Sequence, residues 1–307
     1  MKKETILITG GTGLVGSNLI PKLVDKGYDV RILSRSKKKS DKKNISYYTW
    51  NIKEQTIENG ALVGVDYIIH LAGAGIADKK WTYERKKLII SSRVASLNLL
   101  YKEVEKITAK PKKIISASGI GYYGAVTKDK IFEESDASGT DFVADVCVKW
   151  EDGAKQFESL NISYFVPRIG VVLSDKGGAL DRIKIPTKLN VGAPLGSGKQ
   201  YMPWIHIDDL ASVLMYAIEN EQITGVYNAV GDEHVTNKVF SKKLAKVMGK
   251  AFFMPHVPAF MLKLVFGEMA NIILEGSRVS NSQLKNEGFS FKYNTLEKAL
   301  NNLFNKN

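Results

Sequence analysis

The chain has 307 residues, 44% of them hydrophobic, which suits one large α/β domain with a smaller lobe on the same core; no apolar run reaches the roughly 18–20 residues of a transmembrane helix. A single cysteine, Cys147, excludes an internal disulfide and argues for a reducing compartment, and the four histidines are too scattered to ligate a metal. The net charge is +12 (44 basic residues against 32 acidic), but the excess is spread thinly outside the solvated run Lys37–Lys43 and forms neither an RNA-module motif nor a recognition helix, so no nucleic-acid partner is expected.

Met1-Lys2-Lys3-Glu4-Thr5 leads straight into a strand pattern and lacks the apolar region and cleavage site of a secretory leader, so a cytoplasmic protein with no membrane partner is expected. The β-branched run 5–9 reads as a strand buried on both faces. A glycine-rich turn follows, then helical spacing over 14–26 closed by Gly27. Further strands are predicted over 29–34, 45–50, 67–71, 113–118, 162–169 and 225–230. Helices are predicted over 82–106, 141–159 and 208–219, the last with Asp208 as its N-cap. Residues 236 onward look mostly helical, with a break at Pro255 and Pro258. Strands alternating with helices of this length imply a doubly wound parallel sheet covered on both faces, an α/β fold.

The turn Thr9-Gly10-Gly11-Thr12-Gly13-Leu14-Val15-Gly16 fits two overlapping patterns. Gly11, Gly13 and Gly16 give G-x-G-x-x-G; Gly10, Gly13 and Gly16 give T-G-x-x-G-x-x-G. Glycines there permit the tight turn, the approach of backbone to a pyrophosphate and close helix packing, and the helix N-terminus offers free N–H groups. The motif follows a strand and opens a helix, the context that marks a Rossmann dinucleotide site. Residues 1–230 are therefore read as an NAD(P)-binding domain, with 175–205 contributing to a substrate cleft, and 231–307 as a mostly helical lobe. NAD sites usually carry an acid about 20 residues past the loop for the ribose 2′-hydroxyl. Here the second strand ends Leu33-Ser34-Arg35-Ser36, with Ser34 in place of an acid and Arg35 placed to meet a 2′-phosphate, so NADP(H) is expected in preference to NAD(H).

With these residues stand Ser116-Ala117-Ser118-Gly119-Ile120-Gly121-Tyr122-Tyr123-Gly124, Val146-Cys147 with Trp150-Glu151, Pro167-Arg168-Ile169-Gly170-Val171-Val172-Leu173, Gly196-Ser197-Gly198-Lys199-Gln200, Trp204-Ile205-His206-Ile207-Asp208-Asp209 and Gly267-Glu268-Met269-Ala270. On them the chain resembles the extended short-chain dehydrogenase/reductase and NAD-dependent epimerase/dehydratase superfamily, and more closely an atypical "epimerase family protein" subgroup with its own C-terminal domain. The resemblance implies cofactor contacts from Leu71, Ala72 and Gly73, from Pro167, Ile169 and Val171, and from Arg93. It also implies a homodimer as one possible assembly, built on helices flanking the fifth strand.

The superfamily's active site pairs a serine with Tyr-x-x-x-Lys on the following helix. Of the 13 tyrosines, Tyr83 alone has a lysine four residues on, Lys87, and it lies on the wrong helix. Ser118 matches the serine, and Tyr122 or Tyr123 is the candidate proton donor from a different backbone position. Cys147 reads as a packed core thiol and His206 as structural. Trp81, Lys199, Gln200 and Trp204 are expected to line the substrate cleft, with the loop from Gly192 to Gly198 as its movable wall. The function expected is an NADP(H)-dependent oxidoreductase or epimerase on an unknown small molecule. The alternative is a cofactor-binding sensor or scaffold without turnover.

Overall fold

The computed structural model describes residues 3–305, so Met1 and Lys2, at the head of the segment read for a leader, lie outside it. In chain order the strands are β1 (Thr5–Thr9), β2 (Asp29–Ser34), β3 (Ile45–Asn51), β4 (Thr56–Ile57), β5 (Tyr67–His70), β6 (Lys113–Ser116), β7 (Ser118–Gly119), β8 (Ile131–Phe132), β9 (Ser163–Ile169), β10 (Val171–Leu173), β11 (Trp204–His206), β12 (Gly225–Ala229) and β13 (Arg278–Val279). The helices are α1 (Leu14–Asp25), α2 (Tyr83–Lys106), α3 (Phe142–Lys155), α4 (Ala179–Lys188), α5 (Ile207–Glu219), α6 (Asn237–Val247), α7 (Ala259–Phe266), α8 (Asn271–Leu274), α9 (Ser282–Asn286) and α10 (Leu296–Phe304).

The main sheet runs β12-β9-β6-β5-β1-β2-β3-β4, with β7 continuing β6 along β9; every pairing is parallel except β3 with β4. Alternate strand residues enter opposite cores. Ile6, Ile8, Ile32, Ile69 and Ile115 pack with α1 and α5, while Leu7, Leu33, Ile68 and Ile114 pack with α2. That is the doubly wound arrangement the unbroken apolar strands require. Because β1 has β2 on one side and β5 on the other, the order reverses there and opens a crevice at the carboxyl ends of the strands.

Some boundaries differ from the sequence reading. The strand expected over 113–118 breaks at Ala117, whose N–H donates to His70 O at 3.0 Å, and resumes as β7 against β9. The helix expected to reach 159 ends at Lys155 and tightens into a 3-10 turn over 156–160. Helix α5 is capped by His206 rather than Asp208: the His206 Nδ1 accepts from Asp208 N at 3.1 Å. Beneath α5, the buried Lys113 donates to the carbonyls of Ala217, Asn220 and Ile223 at 2.7, 2.9 and 3.0 Å, filling the negative end of the helix with a cation.

The C-terminal segment is woven into this scaffold. Strand β13 pairs in parallel with β8, and Leu284 and Phe289 enter the same core as β1 and α1. A further core gathers α6, α10 and β11 around Trp204. Among the described residues no helix is long and apolar enough to cross a membrane.

Candidate cofactor and active site

The glycine loop is built from contacts that only glycine allows. Gly10 has φ +71°, and a Cβ there would lie 2.7 Å from the Leu71 carbonyl. A Cβ on Gly16 would lie 2.6 Å from Gly11 Cα and 2.7 Å from Gly10 O. Gly11 presses on Ile32, where a Cβ would come within 2.9 Å, so both overlapping readings of the motif describe required glycines. Helix α1 opens at Gly13, beside exposed Thr12, without a side-chain cap, so no capping side chain takes its first N–H groups. Leu14 and Val15 are half-buried at this opening, and Leu14 meets Gly178 from the loop before α4.

Across the crevice, Leu71-Ala72-Gly73 follows β5. The Leu71 and Ala72 amides donate to the Thr9 carbonyl and Oγ1 at 3.1 and 3.2 Å, and Ala74 N donates to Ser92 Oγ at 2.9 Å. Ser34 ends β2 half-buried; Arg35 beyond it is exposed and has no ion pair among the described residues. The strand itself ends without a carboxylate, although Glu54 and Glu58 of the neighbouring β3–β4 hairpin line a surface pocket with Arg35, Glu58 being held by the Thr49 amide and hydroxyl at 2.8 and 2.7 Å.

Arg93 lies across the Trp150 ring, 4.6 Å from its centroid, and its guanidinium ends against Gly73. It is buried, donates to Ile89 O at 2.8 Å, and its Nε has no partner. Burial pulls it down to about 10, so it stays charged at neutral pH. His70, at the end of β5, is buried between Ser96 Oγ at 2.7 Å and Ser116 Oγ at 3.4 Å, and burial holds it neutral with its pKa lowered to about 3.

Ser118 faces α3, not open solvent. Its hydroxyl donates to Glu151 Oε1 at 2.7 Å. Glu151 is held in turn by Arg168, whose Nε and Nη2 donate to its two oxygens at 2.9 Å each. Arg168 also donates to the Tyr123 hydroxyl at 3.0 Å, and that hydroxyl donates to Asn228 Oδ1 at 2.8 Å. Burial pushes Tyr123 up to about 12, so it keeps its proton. Tyr122 differs: it is half-buried, and the Arg168 guanidinium lies 3.3 Å from its ring centroid. The face of α3 that meets this turn carries Val143, Cys147 and Glu151. Val143 and Cys147 lie within 2.4 and 3.6 Å of the Cβ position at Gly121. Cys147 is a core thiol, buried and pushed up to about 12 by desolvation. Sequence reasoning missed the Glu151–Arg168 pair, although a lone arginine inside the apolar strand 163–169 was a signal for it.

The segment after Pro167 carries the chain from one sheet to another, from β9 in the main sheet to β10, which pairs with β11. Pro167 is buried, Ile169 and Val171 are half-buried, and Gly170 between them packs on Pro203. Two of the expected cleft residues are corrected. Trp204 is fully buried, its Nε1 donating to Glu233 O at 3.1 Å and its ring covering Gly231. Gln200 is buried too, donating to the Leu195 and Ile273 carbonyls at 3.0 Å, so it fastens the 195–200 loop to the C-terminal lobe. Lys199 is exposed. Trp81 is half-buried, donates to Ile76 O at 2.8 Å and meets Phe142 edge-on at 4.9 Å. Lys86 lies over the Phe142 ring and pairs with Glu268 at 2.6 Å, joining this wall to the 3-10 turn 267–270. His206 is buried, stacked on Tyr293 at 3.8 Å, with its pKa lowered to about 4 by desolvation. Among the described residues no cluster of histidine, cysteine or carboxylates could hold a metal.

The family described as the NAD dependent epimerase/dehydratase family matches residues 6–144, and a domain of unknown function, DUF1731, matches residues 257–303. An epimerase family protein of Staphylococcus haemolyticus (strain JCSC1435) is 36% identical over 303 residues, 98% of this chain and 99% of the relative. One from Staphylococcus aureus (strain MRSA252) is 35% identical, with the same coverage. The crystal structure of a human epimerase family protein, SDR39U1, with NADPH aligns at a TM-score of 0.88 and 29% identity, covering 99% of this chain and 100% of that one. A UDP-glucuronic acid 4-epimerase from Bacillus cereus, in complex with NAD, aligns at 0.79 and 18% identity over 98% of this chain and 97% of its own, a likeness of fold.

Proposed function

The chain belongs to the NAD-dependent epimerase/dehydratase family, and from that premise we propose that it binds NADP(H) across the crevice between β1 and β5 and uses it on a small-molecule substrate, as an oxidoreductase or as an epimerase. One observation carries the cofactor preference: Arg35, exposed and without an ion pair among the described residues, stands one residue past β2, a strand that ends in Ser34 rather than an acid, beside a glycine loop whose backbone contacts leave no space for a Cβ. The NADPH bound to the human relative supports the same reading.

When bound, the nicotinamide supplies or accepts a hydride. The chain's own residues do the rest. The uncapped N–H groups of α1 take the phosphates, Arg35 takes the 2′-phosphate, and Ile169 to Val171 wall the ring. Tyr122 is the residue assigned to proton transfer, because its ring is only half-buried beside Ser118 and is held by the Arg168 guanidinium 3.3 Å from its centroid, whereas the Tyr123 hydroxyl is buried and engaged with Arg168 and Asn228. Tyr123 and Ser118 serve as its support, held by Arg168 and Glu151.

The second reading, a cofactor-binding sensor without turnover, is favoured by the Val143, Cys147 and Glu151 face of α3, which offers neither tyrosine nor lysine. Fluorescence titration with NADPH and NADH tests the cofactor. Tighter NADPH binding, lost by about ten- to a hundredfold in Arg35→Ala with NADH unaffected, is expected, since one charge-assisted contact contributes about 1.5–3 kcal/mol. Equal affinities in the unsubstituted protein would overturn the preference. A carbonyl panel then separates turnover from binding: NADPH bound without any hydride transfer selects the sensor, and Tyr122→Phe with full activity removes Tyr122 from the chemistry.

A further inference from the structure

The net charge of +12 is not spread evenly through the fold. Residues 182–207 and 234–267 hold ten lysines and arginines and no aspartate or glutamate, which leaves 44 − 10 = 34 basic against 32 acidic residues in the rest of the chain. The fold joins these two segments. Ala251 N donates to Asn190 Oδ1 at 3.2 Å, Gly196 N to Val257 O and Val257 N to Pro194 O at 2.9 Å each, and Lys238 N to Gly198 O at 3.0 Å. The same two segments carry most of the apolar surface left open to water. Of thirteen large apolar side chains exposed among the described residues, nine belong to them. Together the nine exceed the roughly 300–600 Å² that the largest apolar patch of a soluble monomer spans, and a patch of that size marks an interaction surface.

Helix α7 shows how the apolar groups are arranged. Phe260, Met261, Leu264 and Val265 recur at helical spacing and share one face; Phe260 and Leu264 are 71% and 80% exposed, while Leu262 on the other side is buried. Phe253, in the segment leading to α7, is 70% exposed. Beside it, Val239 and Phe252 line a groove with Lys242, Lys243, Lys246 and Lys250. Four of the ten cations are engaged: Arg182 with Asp78, Lys184 with Asp181, Lys243 with Glu233 and Lys246 with Glu297. The other six, Lys188, Lys199, Lys238, Lys242, Lys250 and Lys263, form no ion pair among the described residues.

The face is apolar and cationic at once, and that combination selects the partner. A second copy laid on it would set lysines against lysines with no carboxylate from either segment to pair them. A nucleic acid would use the lysines but leave aliphatic Leu264 and Val265 without a partner. An anionic lipid surface meets both needs: its headgroups attract the lysines, and its acyl boundary takes the apolar side of a short helix. We propose that α7, the outer side of α6 and the loop 189–199 dock the protein on an anionic lipid bilayer, whatever the crevice binds. The contact is interfacial, since no helix among the described residues is long and apolar enough to cross a membrane. The expectation of no membrane partner rested on a missing leader and a missing span, and an interfacial contact requires neither.

Co-flotation of the purified full chain with vesicles tests the proposal. Expected is binding to phosphatidylcholine vesicles containing about 30 mol% phosphatidylglycerol, about tenfold or more weaker on pure phosphatidylcholine and weakened severalfold by about 0.5 M salt. Phe260→Ser with Leu264→Ser should bind the anionic vesicles about tenfold or more weakly while its Tm stays within about 2 °C, because both side chains face water in the free protein. Lys242→Gln with Lys250→Gln should bind them about ten- to thirtyfold more weakly, each lysine near an anionic surface weighing about fivefold. No binding to the anionic vesicles, equal binding to neutral ones, or full binding by both double variants overturns the proposal. A dimer seen by sedimentation velocity without lipid, and lost in Phe260→Ser with Leu264→Ser, makes a second copy the occupant and overturns it too. So does duplex DNA bound more tightly than the anionic vesicles. Should the serine pair not fold, Val265→Ser takes its place, and the comparison of neutral with anionic vesicles on the unsubstituted protein decides in any case.

Discussion

Glu151→Gln keeps the side chain's shape and removes its charge. In the folded protein the two carboxylate oxygens each take one Arg168 N–H at 2.9 Å, and Ser118 adds a hydrogen bond at 2.7 Å. Glutamine has one acceptor oxygen, so its amide N–H₂ must face a guanidinium N–H, donor against donor. Arg168 cannot turn to water, because only 4% of its side chain is exposed. Its other contacts, the Tyr123 hydroxyl and the Glu134 carbonyl at 3.0 and 3.2 Å, carry no full charge. Stranding one member of a buried pair costs about 3–5 kcal/mol, a large share of the roughly 5–15 kcal/mol that holds a typical protein folded. At about 2 °C per kcal/mol for a chain of this size, Tm should fall by about 6–10 °C. Calorimetry and urea unfolding read both quantities. The double variant Glu151→Leu with Arg168→Met removes both charges and should be more stable than Glu151→Gln alone, since an uncompensated charge is worse than none. A loss below about 1 kcal/mol in Glu151→Gln, or a double variant no better than the single one, would refute the reasoning.

Gly16→Ala drives a methyl group into backbone on two sides, 2.6 Å from Gly11 Cα and 2.7 Å from Gly10 O. It should lower Tm and weaken NADPH binding by about tenfold or more, roughly 1.4 kcal/mol; wild-type affinity in this variant would show that the loop does not shape the phosphate site. His70 and His206 give a pH dependence. Their folded pKa values are lowered to about 3 and about 4 from an unfolded value near 6.5, so their contribution is fully present above about pH 6.5 and is lost as the pH falls toward 4 and then 3. Each imidazole should remove about 1.4 kcal/mol of stability per pH unit between those limits. Thermal unfolding between pH 7 and 4 measures it, and His70→Asn should decline less steeply; an unchanged slope would remove His70 from the account.

The sheet was legible because its information is local. Runs such as 5–9 and 67–70 are apolar at consecutive positions, which a strand buried on both faces demands, and the glycine spacing records contacts within a few residues of itself. The site was legible only in part. Ser118, Tyr122 and Tyr123 sit together in the sequence, yet what they can do depends on Glu151 and Arg168, 33 and 50 residues beyond Ser118, and a long-range ion pair leaves no periodic trace. Trp204 and Gln200 were misjudged for a related reason. Polar or amphipathic side chains beside a glycine-rich loop suggest a cleft, but each is buried here with its polar atoms satisfied by backbone carbonyls from residues 233 and 273. His206 displaced Asp208 as the cap because the chain turns one residue earlier, out of β11, where an imidazole nitrogen can accept the same amide.

The pairing of β13 with β8 has a bearing on how the chain emerges from a ribosome. Ile131 and Phe132 wait for Arg278 and Val279, 147 residues later in synthesis, and the first-made core waits longer still for Leu284 and Phe289. At about 5–20 residues per second that interval lasts about 7–30 s, during which the nascent sheet carries uncovered apolar surface. The nucleotide-binding half is thus made first but finished last, and the period of greatest exposure to chaperones or to aggregation falls after its own residues have all been translated.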